Sequence, residues 1–286
     1  MNTPVPTLAE LRKRPHWSFS ALNTFLNTCS LQWAFRYVWK LPSVSTPAAL
    51  VFGGVFHSAC TFAFRARLAG RDLPVTPALD LFGDLFGQEC RTAEIPVQFR
   101  EDETVDTLIR QGQGMLQALL VDPVCRADRI VAVGEVFQVP LPHASGTEPK
   151  PLIGEYDLVV QDAEGCTIVD WKTAARRWPE GKADSDLQPT CYLYARSFTD
   201  GTPTRFRFDV VTKTAKPTVT HLETVRNEDR LLRLEALLQV VSAMVKAEHF
   251  LPSEQSWSCS DCQYAEACAA WHRSRARVSV TANRAA

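Results

Sequence analysis

This chain of 286 residues lacks several things, and each shortage removes a class of function. No apolar run reaches the ~18 to 20 residues of a membrane-spanning helix, so no membrane role is expected. The opening stretch MNTPVPTLAELRKRP has no apolar core of the kind that marks a secretory signal, and the expected compartment is the cytoplasm. There is no Gly-x4-Gly-Lys-Ser/Thr loop, hence no sign of a built-in ATP motor. Net charge is scarce as well: 31 Lys and Arg against 32 Asp and Glu leave −1 at pH 7. Nucleic acid could then be held only in a local basic groove, not by the protein as a whole. No internal repeat or linker divides the chain, whose size and 45% hydrophobic content suit one large domain or two small ones.

Cysteine, in contrast, is plentiful. Nine cysteines, an odd number, in a chain without a secretory signal point to a reducing compartment, where they serve as core thiols or metal ligands. Three of them form Cys259-x2-Cys262-x5-Cys268, a spacing that suits a metal or cluster and leaves a fourth position for a distant cysteine. Zinc and iron–sulfur ligation are not separable by spacing. Cys29, in a helical region over 18–38 with a break around Thr28-Cys29-Ser30, reads on its own as a buried structural thiol.

The chemistry concentrates in the stretch from Gly154 to Thr173. Two runs of β-type composition flank a polar turn at Gly165 and read as a hairpin. Asp170 and Lys172 alternate onto one strand face while Trp171 points away. Pairing across the turn could bring Asp157, thirteen residues before Asp170, beside them. Two carboxylates and an ammonium can hold a divalent metal and activate a water for phosphodiester hydrolysis; the alternative is an edge hairpin with solvated charges.

Around the hairpin, a helix is predicted over 48–68, containing Gly53-Gly54-Val55-Phe56-His57. Adjacent glycines in a helix cost roughly 1 kcal/mol each relative to alanine, which suggests a close backbone approach. His57 on this apolar stretch is a core residue or a ligand. Further helices are expected over 79–93 and 103–120, and a β-rich run over 129–141 carries Glu135, a further carboxylate or a surface residue. After the hairpin comes a basic connection with Arg176, Arg177 and Lys182, candidate DNA contacts at the groove rim. A helix starting near Asp184 to Asp186 follows, with Gln188 and Tyr192 one turn apart, contacting the site or DNA or forming a surface pair. Strands are predicted over 205–212 and 218–225. A long helix capped by Asn227-Glu228-Asp229 comes next, and a flexible basic tail over 273–286.

Taken in order, these stretches resemble the RecB-type branch of the PD-(D/E)XK nuclease superfamily, specifically its iron–sulfur members such as the CRISPR adaptation exonucleases and the AddB nuclease domain. The residues that carry the resemblance run from Ser18-Phe-Ser-Ala-Leu…Cys29 through Gly53-Gly54-Val-Phe-His57, Gly154-x2-Asp157, Asp170-x-Lys172-Thr173 and Gln188-x3-Tyr192 to the three late cysteines. The resemblance implies an α/β (α+β) restriction-endonuclease-like mixed sheet flanked by helices. One nuclease domain would cover 1–272, with its hairpin core at 129–225 and cysteine segments at 18–38 and 257–272. It implies Mg or Mn held by His57, Asp157, Asp170 and the Trp171 carbonyl, with Lys172 acting on the attacking water and Gln188 and Tyr192 supporting the site. Cys29, Cys259, Cys262 and Cys268 would hold a [4Fe–4S] cluster, with zinc as the alternative. The expected activity is DNA exonuclease, on DNA with single-stranded ends, in recombination, repair or CRISPR adaptation, with a helicase or integrase as possible partner. Departures are Ser30 after Cys29, where such proteins often have proline, and Tyr156 before Asp157, so the literal Pro-Asp is absent. Two other readings stand beside this one: a non-catalytic DNA-binding module of the same fold, and a zinc-stapled nucleic-acid-binding protein.

Overall fold

The computed structural model describes residues 6–141, 150–199, 201–253, 259–260 and 262–283, and side chains as far as residue 275. The predicted break in the first helical region is present. A helix over Phe19–Asn23 runs into a π turn over Thr24–Thr28, Cys29 is extended, and α1 starts afresh at Ser30–Tyr37. The Cys29 sulfur caps this new start by accepting the Gln32 N–H at 3.4 Å, which takes one of the unpaired amides at a helix N-terminus. Three longer helices follow, α2 over Ala48–Leu68, α3 over Thr76–Thr92 and α4 over Val105–Val121.

The sheet comes next: β1 Ile130–Val139, β2 Leu152–Asp162, β3 Gly165–Ala174, then α5 Leu187–Arg196, β4 Thr204–Thr212 and β5 Val219–Thr224. The strands lie in the order β1-β2-β3-β4-β5. Within this sheet only β3 and β4 are parallel, joined by the α5 crossover that such a pairing demands. Helix α6, Glu228–Lys246, starts on Asn227 as predicted, and α7, Ala265–Asn283, ends the described chain.

Alternation along the strands divides the interior in two. On one face Ile168, Phe206 and Phe208 pack with α1, α5 and α6; on the other Val169, Trp171 and Val211 pack with α2, α3 and α4. The sheet is therefore mixed and covered by helices on both sides, the architecture expected of a restriction-endonuclease-like fold. Helix α2, with 21 residues, is long and apolar enough to cross a membrane by length and composition alone. The uninterrupted run expected of such a span is absent, because His57, Ser58, Thr61 and Arg65 break it. Phe52, Phe56, Ala59 and Phe64 are buried beneath α3, α4 and the sheet.

Two further differences concern the ends. The chain from Arg273 to Asn283 is helical rather than irregular, in keeping with its Ala and Arg content; residues 284–286 lie outside the described residues. The first and last segments meet through direct contacts, the Cys29 thiol included, which donates to the Leu251 carbonyl at 3.8 Å. Ser30 Oγ donates to the Leu251 carbonyl at 3.1 Å and accepts the Leu251 N–H at 2.7 Å, while Phe250 packs against Trp33 and Trp39 and Tyr264 against Phe35.

Candidate active site

The hairpin places its acids by parting its strands. β2 and β3 pair from Asp162/Gly165 to Leu158/Val169. Beyond that point the Trp171 N–H donates to Asp157 Oδ2 at 3.0 Å instead of to a backbone carbonyl. The Asp157 side chain thus stands where the ladder would have continued, and β3 keeps its register with β4 on its other edge. Three residues before Asp157, Gly154 leaves room for an aromatic. The Phe137 ring lies over it, and a Cβ there would come within 2.4 Å of that ring. Phe137 stacks on Tyr156 at 4.7 Å, which fixes the strand that carries Asp157.

Asp170 and Lys172 do share a face, and Trp171 points the other way, stacked on Phe64 of α2 at 5.1 Å. Asp170 is 2% exposed. The Gln188 amide of α5 donates to its Oδ1. Its Oδ2 lies 2.5 Å from Lys172 Nζ in ion-pair contact, yet without the alignment of a hydrogen bond. Burial pushes the Asp170 carboxyl up to about 6, with Asp157 adding to the effect and Lys172 opposing it. From α2, His57 Nδ1 reaches Asp157 Oδ2 at 3.0 Å. Burial opposes the imidazolium, but Asp157 in contact and Asp170 beyond it prevail, so the His57 pKa is raised.

Tyr192 is no loose surface partner of Gln188. Its ring meets Phe137, Tyr156 and Phe206 edge-on at 5.5, 5.7 and 5.9 Å. Burial, with Asp170 and Asp157 nearby, holds its hydroxyl well above the ordinary tyrosine range and therefore neutral.

The residues present fit a hard divalent cation. Gln188 Oε1 is a buried acceptor without a hydrogen-bond donor and Asp170 Oδ2 meets only Lys172, and buried acceptors so thinly supplied are costly unless something else satisfies them. Asp157, Asp170 and His57 supply the oxygen-rich donor set that Mg or Mn takes. All of them line one cleft of about 930 Å³.

The same cleft is lined by residues that the sequence reading passed over: Glu155, Arg12, Arg65 and Arg71. The signal for Glu155 was available, since it alternates with Asp157 on one strand face. Burial and the neighbouring Asp157 raise its carboxyl pKa. Glu135 lies elsewhere, in an ion pair with Arg196 at 3.9 Å. Arg176, Arg177 and Lys182 do not line the cleft. The first two are exposed, and Lys182 pairs with Asp186 at 2.7 Å over the Trp178 ring. No close approach covers the glycine pair either, because a Cβ at Gly53 or Gly54 would meet nothing within 4 Å.

At the other end of the molecule Cys29, Cys259, Cys262 and Cys268 line one cavity of about 300 Å³, although 230 residues separate Cys29 from Cys259. None is in a disulfide. Burial raises the Cys262 pKa, with Cys29 and Cys259 contributing. Four thiols around one cavity, no three of them with sulfurs within 4.8 Å of one another, suit a four-thiolate cluster better than a single ion. Cys60, outside the spacing pattern, lies on α2 and is fully buried.

Comparison with known proteins places this geometry. The solved structure of a candidate exonuclease from Eubacterium rectale matches with a TM-score of 0.55 at 13% identity, covering 91% of this chain and 93% of that one. At that identity the likeness is one of fold. SSO0001 matches with a TM-score of 0.34 at 11% identity over 78% of this chain and 85% of its own, too loosely to carry an argument. Among curated proteins no sequence matches. The model of the PD-(D/E)XK nuclease superfamily matches residues 16–269, a span that holds both carboxylates, Lys172 and all four convergent cysteines. The chain belongs to the PD-(D/E)XK nuclease superfamily.

Proposed function

We propose that this nuclease is a Mg- or Mn-dependent exodeoxyribonuclease of the RecB-type branch, with a [4Fe–4S] cluster on its four convergent cysteines. The observation that carries the catalytic part is the buried Asp170, with an acceptor oxygen open toward Lys172 and the cleft. A divalent ion held by His57, Asp157, Asp170 and the Trp171 carbonyl would supply the positive charge that steadies the phosphate as water adds to it.

The chain's own residues divide the remaining work. Gln188 fixes Asp170 by its amide, and the aromatic packing of Tyr192 holds α5, and so Gln188, against the sheet. Asp157, tied to the Trp171 N–H and to His57, is set at the mouth of the strand opening. Lys172 donates toward the attacking water. Its Nζ, 2.5 Å from Asp170 Oδ2, orients that water, and the proton the water loses passes to bulk solvent. The water oxygen bonds to phosphorus, the bond to the leaving oxygen breaks, and that oxygen leaves with the electron pair and is protonated from solvent.

The exonuclease reading draws on the Eubacterium rectale protein, which is described as a candidate exonuclease. The sequence motifs support placement in recombination, repair or CRISPR adaptation beside a helicase or integrase. The cavity lined by Cys29, Cys259, Cys262 and Cys268 supports the cluster. End-labelled single- and double-stranded DNA incubated with Mn²⁺, Mg²⁺ or EDTA tests the activity. We expect mononucleotides or short oligomers released from an end with metal and none in EDTA. Internal fragments only, or no release with either metal, would count against an exonuclease.

A further inference from the structure

The cleft does not stop at its carboxylates. It continues along α2, which presents His57, Ser58, Thr61, Phe62 and Arg65 to it in succession, and ends among Arg12, Arg65 and Arg71. Arg65 lies eight residues, a little over two turns, beyond His57 on the same helical face. Arg71 follows just past the end of α2, and Arg12 arrives from the opposite wall, at the C-terminus of the short Leu8–Leu11 helix.

The charge at this end is not neutralised from within. Arg196, Arg205, Arg207 and Lys182 all stand in ion pairs, but no ion pair among the described residues involves Arg12, Arg65 or Arg71. The acid they face is Glu155, within the field of both Arg65 and Arg12. One carboxylate against three guanidiniums leaves an excess of positive charge in a protein whose total is −1. The position of Arg65 is also built. Gly134, at φ 68°, lies beneath it, and a Cβ there would come within 2.9 Å of the guanidinium nitrogen and 3.3 Å of Glu155 Oε1. A strand residue with positive φ and no side chain opens the space that Arg65 occupies. Phe62, 39% exposed in the same wall, offers a ring face.

We propose that Arg12, Arg65 and Arg71 seat the phosphates of the nucleic-acid strand beyond the scissile one, with Phe62 under a base. The inference rests on the nuclease reading above. Guanidiniums bind phosphates through paired donors, and aromatic faces take bases without regard to sequence. This end of the cleft then sets affinity and substrate length while the carboxylates set chemistry.

The test is a salt titration of the full-length protein with a fluorescein-labelled 20-residue oligothymidylate in EDTA, which prevents cleavage. The Arg12→Ala/Arg65→Ala/Arg71→Ala protein should lose about 2 from the slope of log K against log salt, roughly 0.7 for each phosphate contact on a single strand. The corresponding triple lysine variant should keep most of the parental slope, since it keeps the charge. Hydrolysis of bis(p-nitrophenyl) phosphate with Mn²⁺, a diester too small to reach the arginines, should stay unchanged in both. Arg65→Ala alone, with an expected loss of about 0.7, gives the same reading should the triple variant fold poorly. A parental slope in the alanine variants, with the diester still split, overturns the arginine seat and leaves the nuclease reading standing. A parental protein that neither binds the oligonucleotide nor splits the diester overturns that reading and the seat together.

Discussion

Two clusters of buried carboxylates sit on the same sheet, and they differ in whether their acceptors are filled. On β4, Asp209 is fully buried. Its Oδ1 accepts from Arg207 Nε at 2.8 Å and lies 2.6 Å from His221 Nδ1; its Oδ2 accepts from Arg207 Nη2 at 3.2 Å and from the Cys125 thiol at 3.5 Å. Arg207 also grips both oxygens of Asp128, and His221 reaches Asp122 at 3.1 Å. At the cleft, Asp170 has one donor from Gln188 and one ion-pair contact, and Gln188 Oε1 beside it has no donor. Burial pushes both carboxyls up. For Asp209 the pull of His221 and Arg207 prevails and its pKa falls; for Asp170 it does not, and its pKa rises to about 6.

The comparison shows that residue type alone does not make a site. Asp122, Cys125 and His221 hold ligand atoms within 4.8 Å of one another, as do Cys125, Asp128 and Asp209. Yet Asp122 Oδ1 already accepts the Val124 and Cys125 amides, and Asp128 and Asp209 already hold Arg207. That cluster is closed and holds the fold together. The cleft cluster is open, and its open acceptor is where the chemistry is expected.

Substitutions should separate the two clusters, most sharply in catalysis. Asp170→Ala should abolish DNA cleavage, and Lys172→Ala should slow it ~10²-fold or more, the usual scale for a lost proton-transfer group, with DNA binding retained in both. A gel assay against the parental rate checks this. The closed cluster should answer in stability instead. Arg207→Ala leaves Asp128 and Asp209 buried without their cation, a loss of about 3–5 kcal/mol readable by urea denaturation.

Acid should act on the two clusters in opposite senses. The folded-state pKa of Asp170 stands above that of the unfolded chain, so the native state holds its proton more tightly. Its charge then costs stability as pH rises from about 4 to 6, and the cost persists above that range. Asp209, whose folded-state pKa is lowered, contributes stability above the unfolded value near 4 that is lost as pH falls through the folded value. Urea midpoints in EDTA between pH 3.5 and 7.5 should flatten for Asp170→Asn between about pH 4 and 6. Asp209→Asn should reduce the acid-side loss instead, and identical profiles for the two variants would erase the distinction.

Smaller effects come from the cysteines and the glycine pair. Protein purified without air should be brown, and Cys29→Ala should bleach it where Cys60→Ala should not. The melting temperature should drop only modestly on bleaching, because Ser30 and Phe250 already join the two segments. Stoichiometric zinc in a colourless preparation would favour the zinc staple. Gly54→Ala places its methyl in open space and should stabilise by at most about 1 kcal/mol through helix propensity, measured as a small rise in melting temperature.

What the sequence disclosed and what it hid follow the same division between local and distant. Asp170, Trp171 and Lys172 were legible because strand alternation is local. The break at Cys29 was legible because a Thr-Cys-Ser stretch is a poor helix interior. The convergence of Cys29 on the late cysteines became legible only through the family resemblance, since no local rule links positions 230 residues apart. Arg65 was hidden because its place depends on Gly134, on another strand, and Arg12 because it crosses from the opposite wall. Arg176, Arg177 and Lys182 illustrate the converse: a basic run in sequence, but none of the three lines the cleft. The closed cluster around Asp209 was invisible for the same reason, its members coming from residues 122–128, β4 and β5.

The most direct test of the account is a Mn²⁺ titration of parental and Asp170→Asn protein by calorimetry, run in parallel with cleavage of end-labelled DNA. The account predicts that the parental protein binds Mn²⁺ and cleaves, and that Asp170→Asn loses both while keeping its fold and its affinity for DNA. An Asp170→Asn protein that cleaves at the parental rate with Mn²⁺ would contradict it, and the reaction would then have to be sought outside the open cluster.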